Sequence, residues 1–290
     1  MRIIEYAKKE YRLFKLIIKS PFRNKRGLNK QKIEKKKVNL EWVDNGNLGD
    51  SLGVLINDWM LEKKNLGDES SDKKAHHLIT CGSLVGVGFF DAVVWGSGIH
   101  TIHSIENLIS MKGIREYDVR AVRGPITRQL LIECGYKCPE VYGDPAIIMP
   151  LIYNNPNLGK EYDTSIILHY KTLDKDKYLL NNCHHIDIQT NDYKEFINQI
   201  LSSKKIISSS LHGIILAETY GVPSVFLNTG DYVENAIIKY YDWYYSTNRR
   251  SVMIANTMEE ALEMEPMPLP DLEKMREKLI ESFPYDLYEN

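Results

Sequence analysis

The sequence predicts an α/β protein built from two parallel-sheet units, preceded by a basic amphipathic helix. Three observations predict it. From Val38 onward, short apolar runs alternate with stretches of helical periodicity, the pattern of parallel strands joined by crossover helices. A polar stretch, NNPNLGKEYDT, interrupts that series near 151–163, and a second series follows it. Residues 1–37 hold fourteen Lys/Arg against three acids, a net of +11, which leaves −13 on the rest of a chain whose total is −2. The expected organisation is a basic segment at 1–37, a first domain at 38–155, and a second at 156–290 that includes terminal helices. A chain of 290 residues is long enough for two such cores.

Each element has its own justification. In MRIIEYAKKEYRLFKLIIKS, Ile3, Ala7, Tyr11, Phe14 and Ile18 follow one helical track among lysines and arginines, and Ser20-Pro21 ends it. RNKRGLNKQKIEKKK continues as a basic connector. Such a helix can lie on an anionic membrane surface, since apolar burial and Lys/Arg attraction add; packing against its own protein is the other reading. In the first unit VNLEWV, HHLITCG, AVVWGSG and YDVRAVRG read as strands. SLGVLINDWMLEK and ITRQLLIECG read as helices, the latter stopped by Gly135, and VYGDPAIIMPLIY closes the unit at its prolines. In the second, TSIILHY, HHIDIQT, KKIISSS and PSVFLNT are strands, with DYKEFINQILSS and LHGIILAETYG as helices between them. MEEALEM and LEKMREKLIESF are terminal helices.

Composition narrows the function classes. At 43% hydrophobic and 26% charged, the chain has the make-up of an ordinary soluble globular protein. Cys81, Cys134, Cys138 and Cys183 are too few and scattered for a disulfide framework, so reduced thiols in a cytoplasmic setting are expected. No stretch approaches the ~18–20 apolar residues of a membrane span, and no signal-peptide apolar region stands near residue 1. The acidic body and the lack of a recognition motif argue against nucleic acid.

Open parallel sheets bind ligands at the carboxyl ends of their strands, which directs attention to five loops. In NGNLGD the glycines permit a turn and Asp50 is a candidate helix cap, so Asn47, Gly49 and Asp50 are candidate substrate contacts. The dinucleotide fingerprint GxGxxG is absent there. WGSG, with Gly96, Ser97 and Gly98, allows close approach of a ligand, or makes a tight turn. His100 and His103 follow at i, i+3, but a third metal ligand is not apparent and no metal site is expected. VRGP places Arg123 at a strand end, where its planar fork can meet a carboxylate or phosphate or pair with a loop acid such as Asp144. YGDPA fixes Asp144 in an Asp-Pro turn whose role is more often structural. In SSSLHG, Ser209 or Ser210 is the expected N-cap of a helix whose free first-turn N–H groups favour anions. His212 stands on that rim. A helix N-terminus favours its neutral form, whereas a dianionic ligand at the same end favours imidazolium, a proton donor.

Taken in order, GNLGD (46–50), WGSG (95–98), VRGP with its helix, GDPA (143–146) and SSLHGIILAETYGVPSVFL (209–227) resemble the polysaccharide pyruvyl transferase family over residues 40–230. The resemblance implies two Rossmann-like halves in a GT-B-like arrangement with an active site in the cleft. It implies transfer of pyruvate from phosphoenolpyruvate, a co-substrate rather than a bound cofactor, onto a sugar as a cyclic ketal. His212 matches the family's general acid and Arg123 an arginine that grips phosphoenolpyruvate. Some members carry an arginine where this chain has Ser210, and Arg249 or Arg250 is the expected replacement. Asp50 and Glu218 are candidates for the base. A lipid-linked oligosaccharide acceptor of capsule or exopolysaccharide assembly, met at the inner face of the cell membrane through residues 1–37, is the partner this implies. The rival readings are a glycosyltransferase using a nucleotide sugar and a non-catalytic sugar-binding component of an assembly complex.

Overall fold

The computed structural model describes residues 36–43, 46–69 and 75–289, so the helix expected near residues 3–18 lies outside the described residues. Strands β1 (Val38–Glu41), β2 (His76–Ile79), β3 (Ala92–Trp95) and β4 (Tyr117–Ala121) pair in parallel in that order. A second parallel sheet has the order β6-β5-β7-β8-β9, from β5 (Tyr162–Ile167), β6 (His184–His185), β7 (Ser203–Ser208), β8 (Ser224–Leu227) and β9 (Ile254–Ala255). β3 and β8 are buried at every position, as continuous apolar runs in the middle of a covered parallel sheet require.

The connections are helical. α1 (Leu48–Glu62) follows β1, α2 (Ile102–Ser110) follows β3, and α3 (Pro125–Glu133) follows β4. A 3₁₀ turn at Pro145–Ile148 and the short α4 (Met149–Ile152) close the first unit. In the second, α5 (Tyr193–Leu201) leads into β7, α6 (Leu211–Thr219) joins β7 to β8, and α7 (Asp231–Asn235) with α8 (Ile238–Ser246) precede β9. α9 (Met258–Glu263) and α10 (Glu273–Glu281) end the series.

Three local differences from the sequence reading have clear causes. α1 begins at Leu48 rather than Ser51, because Asn47, in extended backbone, accepts from the Gly49 N–H at 3.2 Å; the cap is Asn47, not Asp50. HHIDIQT yields a strand of two residues, beyond which the chain leaves the sheet and the Ile188 carbonyl accepts from Leu48 N–H of the first unit at 2.9 Å. The stretch 228–255, which shows no clean apolar period, holds α7, α8 and β9.

The two sheets share a core. Leu52 and Ile56 of α1, Ile214 and Ile215 of α6, Phe226 of β8, and Tyr240 and Trp243 of α8 belong to one buried cluster. Residues 273–288, grouped with the second unit in the sequence reading, pack against the first. Trp95 Nε1 donates to Leu279 O at 2.9 Å, Arg276 Nε to Ile147 O at 2.7 Å, and Tyr288 Oη to Asn57 Oδ1 at 2.7 Å. All four cysteines are free thiols. Among the described residues no helix is long and apolar enough to cross a membrane.

Candidate active site

A cavity of about 210 Å³ lies between the two units. Its walls come from segments that follow the carboxyl ends of strands in both sheets: Asn47 and Asp50 after β1, Gly82 and Ser83 after β2, His100 after β3. From the second unit come His169 to Lys171 after β5, Ser210 to His212 after β7, and Tyr232 and Lys239 after β8. The rule for open parallel sheets thus holds twice in one molecule.

Two helix N-termini meet at this cavity. Ser210 is the N-cap of α6, in extended backbone and without a side-chain capping bond, so the amides of the first turn keep no hydroxyl partner. The N-terminus of α1 faces it. The His212 ring packs on Gly49, where a Cβ would fall 1.9 Å from Nδ1, and this contact explains the glycine of GNLGD. His212 is 5% exposed. Its Nε2 lies 3.6 Å from Asp144 Oδ2, and neither atom has a hydrogen-bond partner.

Asp144 is held by a stack of loops. Gly143 N–H donates to Val122 O at 3.0 Å, Val122 N–H to Val141 O at 3.0 Å, and Arg123 N–H to Ser97 O at 3.0 Å, so YGDPA, VRGP and WGSG are laced together through backbone. Asp144 Oδ1 accepts from Ala146 N–H at 3.1 Å in the expected Asp-Pro turn.

Another part of the lining is cationic and aromatic. Lys239 of α8 is almost fully buried, its Nζ 5.1 Å from the Tyr240 ring centre and 5.4 Å from that of Tyr232. Burial first, then repulsion from Arg123, brings its ammonium down to about 7, against the pull of Asp50. Lys171, exposed, sets its Nζ 4.5 Å over Tyr232. His169 stacks on Tyr232 at 4.6 Å, and His100 Nε2 pairs with the Tyr232 hydroxyl. Burial and the neighbouring Lys239 keep both histidines neutral, His100 down to about 3 and His169 to about 2.

Several expected contacts are placed elsewhere. Arg123 is fully buried behind the wall: Nη1 donates to Ser83 Oγ at 2.6 Å, Nη2 to Ile99 O at 2.8 Å, and the charge is balanced by Asp242 at 3.3 Å, not Asp144. WGSG supports rather than lines the cavity. A Cβ on Gly98 would fall 2.3 Å from the guanidinium of Arg123, one on Gly96 2.5 Å from Pro145, and Ser97 Oγ donates to Gly82 O. Ser209 is buried, its hydroxyl accepting from His169 N–H at 2.8 Å. Arg249 is committed to a bidentate pair with Glu218 at 2.7 and 2.8 Å, which Trp243 Nε1 joins at 2.9 Å, so neither Arg249 nor Glu218 is a cavity group. Arg250 is exposed and does not line it either. His103 is exposed beside Glu106, away from His100. The structure does bring Asn47, Asp50, Ser210 and His212 together, with Gly49 beneath the ring.

Sequence reasoning missed Lys171, Lys239, His169, Tyr170 and Tyr232. For His169 to Lys171 the signal was present, since HYK follows the apolar run TSIIL at a strand end. For Lys239 there was none, because no element was legible around it.

A comparison with known families matches residues 3–232 to the polysaccharide pyruvyl transferases. The chain belongs to that family. The matched span includes Asp50, Arg123, Asp144, Lys171, His212 and Tyr232; Lys239 lies just beyond it. Among curated relatives, an uncharacterized protein of Acanthamoeba polyphaga mimivirus is 36% identical over 176 residues, 58% of this chain and 58% of its own length. The succinoglycan biosynthesis protein ExoV of Rhizobium meliloti is 27% identical over 219 residues, 68% of this chain and 60% of its own. The match thus spans less than two thirds of either relative. Among solved structures, an uncharacterized protein from Klebsiella pneumoniae aligns at a TM-score of 0.48 and 15% identity, covering 84% of this chain and 97% of the other.

Proposed function

We propose that the cavity transfers the enolpyruvyl group of phosphoenolpyruvate onto a sugar, forming a pyruvate ketal. The observation that carries this reading is a histidine, His212, set between two helix N-termini and lining one small cavity with two lysines. Phosphoenolpyruvate brings a carboxylate and a phosphate, and Lys239, Lys171 and the first turn of α6 supply positive charge for both. Arg123, paired with Asp242, holds Ser83 of the cavity wall instead of gripping the donor directly.

The chemistry runs as follows. His212, protonated, gives its proton to the methylene carbon, and the adjacent carbon takes on cationic character. A sugar hydroxyl attacks that carbon and the phosphate leaves as a second hydroxyl closes the ring. Of the two hydroxyl protons released, one restores His212 and the other leaves with phosphate. Asp50 is our choice of base for the first, a reading its position in the cavity lining supports.

The finer reading is a GT-B-like enzyme of capsule or exopolysaccharide assembly. It works at the inner face of the membrane on a lipid-linked oligosaccharide, with residues 1–37 as the membrane contact. The cleft between two parallel-sheet units supports the first part, and the +11 charge of residues 1–37 supports the last. The test is to incubate the protein with phosphoenolpyruvate and a panel of galactosides, mannosides and N-acetylhexosamine lipids, following phosphate release. Release that depends on acceptor, and falls about 100-fold or more in His212→Ala, is expected. Turnover of a nucleotide sugar instead, or activity unchanged in that variant, overturns the reading. Co-sedimentation with anionic vesicles, with and without residues 1–37, checks the membrane contact; equal binding by both removes it.

A further inference from the structure

His212 has one ring nitrogen against Asp144 and the other against Gly49, and the two environments differ in kind. Nε2 is buried and faces Asp144 Oδ2 at 3.6 Å, and both atoms lack any other hydrogen-bond partner. Leaving two complementary polar atoms bare in a protein interior is unfavourable, so a small movement that joins them is favoured. Nδ1 lies over Gly49 on the α1 side, where Asn47 and Asp50 line the cavity.

Asp144 keeps one carboxylate oxygen for this contact. Its Oδ1 is taken by the Ala146 N–H, which fixes the carboxylate plane. Arg123, the cation nearest in the loop stack, is neutralised by Asp242 instead. Oδ2 is therefore left over, fully buried, and aimed at the imidazole. The other titratable groups around the ring are Asp50 of α1, Cys81 after β2, His169 after β5 and Lys239 of α8. His169 and Cys81 stay neutral, the thiol pushed up by burial and by Asp144 itself. Among the described residues, Asp144 is the carboxylate within ion-pair reach of His212.

We propose that Asp144 is the positioning residue of His212. Its carboxylate accepts the Nε2 proton, leaves Nδ1 as the nitrogen that exchanges a proton with the cavity, and balances the imidazolium charge. No bond to carbon forms at Asp144 and no proton needs to leave Nε2: the transferred proton travels on Nδ1. The catalytic half of this statement rests on His212 being the donor in pyruvyl transfer; the tautomer half does not.

The decisive experiment is ¹⁵N imidazole spectroscopy of the full chain without substrate, with His212 assigned by loss of its signals in His212→Gln. The neutral wild-type ring is expected to carry its proton on Nε2; a proton on Nδ1 overturns the proposal. In Asp144→Asn, with Oδ1 still bound to Ala146, the amide N–H₂ faces Nε2 as a donor, and the preference is expected to invert to Nδ1–H. An unchanged tautomer in that variant also overturns it. On activity, Asp144→Asn is expected to lower kcat about 10–100-fold, change the KM for phosphoenolpyruvate less than about threefold, and move the alkaline limb of the pH profile about one unit acidward. A limb that stays in place means Asp144 is only a turn residue. If the tautomers behave as expected but no acceptor is pyruvylated, the assigned reaction fails and the pairing stands.

Discussion

Lys239 shows how one buried side chain can report on ligand binding. Burial holds its ammonium down to about 7, so at pH 8 most of the unliganded protein carries it neutral. A dianionic donor in the cavity restores the charged form. We therefore expect phosphoenolpyruvate binding to take up protons between about pH 7 and 10, read as a dependence of calorimetric heat on the ionisation enthalpy of the buffer. Lys239→Met should abolish that dependence and weaken donor binding about 10–100-fold. The Glu218–Arg249 pair makes the opposite case. The Glu218 carboxylate is buried and doubly bonded to the part-buried Arg249, so Arg249→Met strands that carboxylate beside Trp243 and should cost about 3 kcal/mol of stability in chemical denaturation. Donor affinity of the folded fraction should be unaffected; a tenfold loss there would return Arg249 to the substrate site. Sequence alone leaves these two cations ranked the wrong way round. An arginine near a family motif looks like a ligand, and only the fold shows which cation already has a carboxylate.

At the scale of elements, the site is a meeting of two helix starts. Gly49 of α1 and His212 of α6 touch so closely that alanine at 49 would place its Cβ 1.9 Å from Nδ1. Helix propensity by itself would favour alanine by about 0.5–1 kcal/mol. We expect Gly49→Ala to lose activity at least about 30-fold, because the ring must leave Asp144 to make room, with little change in helix content by circular dichroism. Unchanged activity would mean that the ring's seat on α1 is not needed. The strands were legible because β3 and β8 are short, fully buried runs bounded by polar turns. α8 was not, because IKYYDWYYS buries tyrosine, tryptophan, lysine and aspartate together, and Tyr240, Asp242 and Trp243 each bond to a distant element. Asp242 alone accepts from Ile126 N–H, Thr127 N–H and Thr127 Oγ1, capping α3 from the other unit. Such long-range pairing leaves no periodic trace.

For the whole molecule, pH sets a limit that follows from the cavity's neutral histidines. His100 and His169 have folded values far below the unfolded value near 6.5, so the unfolded chain takes protons first as pH falls. Their contribution to stability is present above pH 6.5 and is lost between there and about pH 3. Denaturation midpoints should fall steeply over that window, by a few kcal/mol in total, and His100→Gln should flatten the slope. A slope unaltered by that substitution would place the acid sensitivity elsewhere. The two-unit plan was readable from the break near 151–163, but its closure was not, since nothing in LEKMREKLIESF says which unit it will cover.

That closure bears on how the chain is made. Trp95 waits for a carbonyl that is 184 residues downstream, and Tyr288 reaches Asn57 across 231. A nascent chain leaving the ribosome therefore holds the first sheet with an uncovered tryptophan throughout translation of the second, and a message that stops early yields a protein whose cavity-bearing loops have no seat.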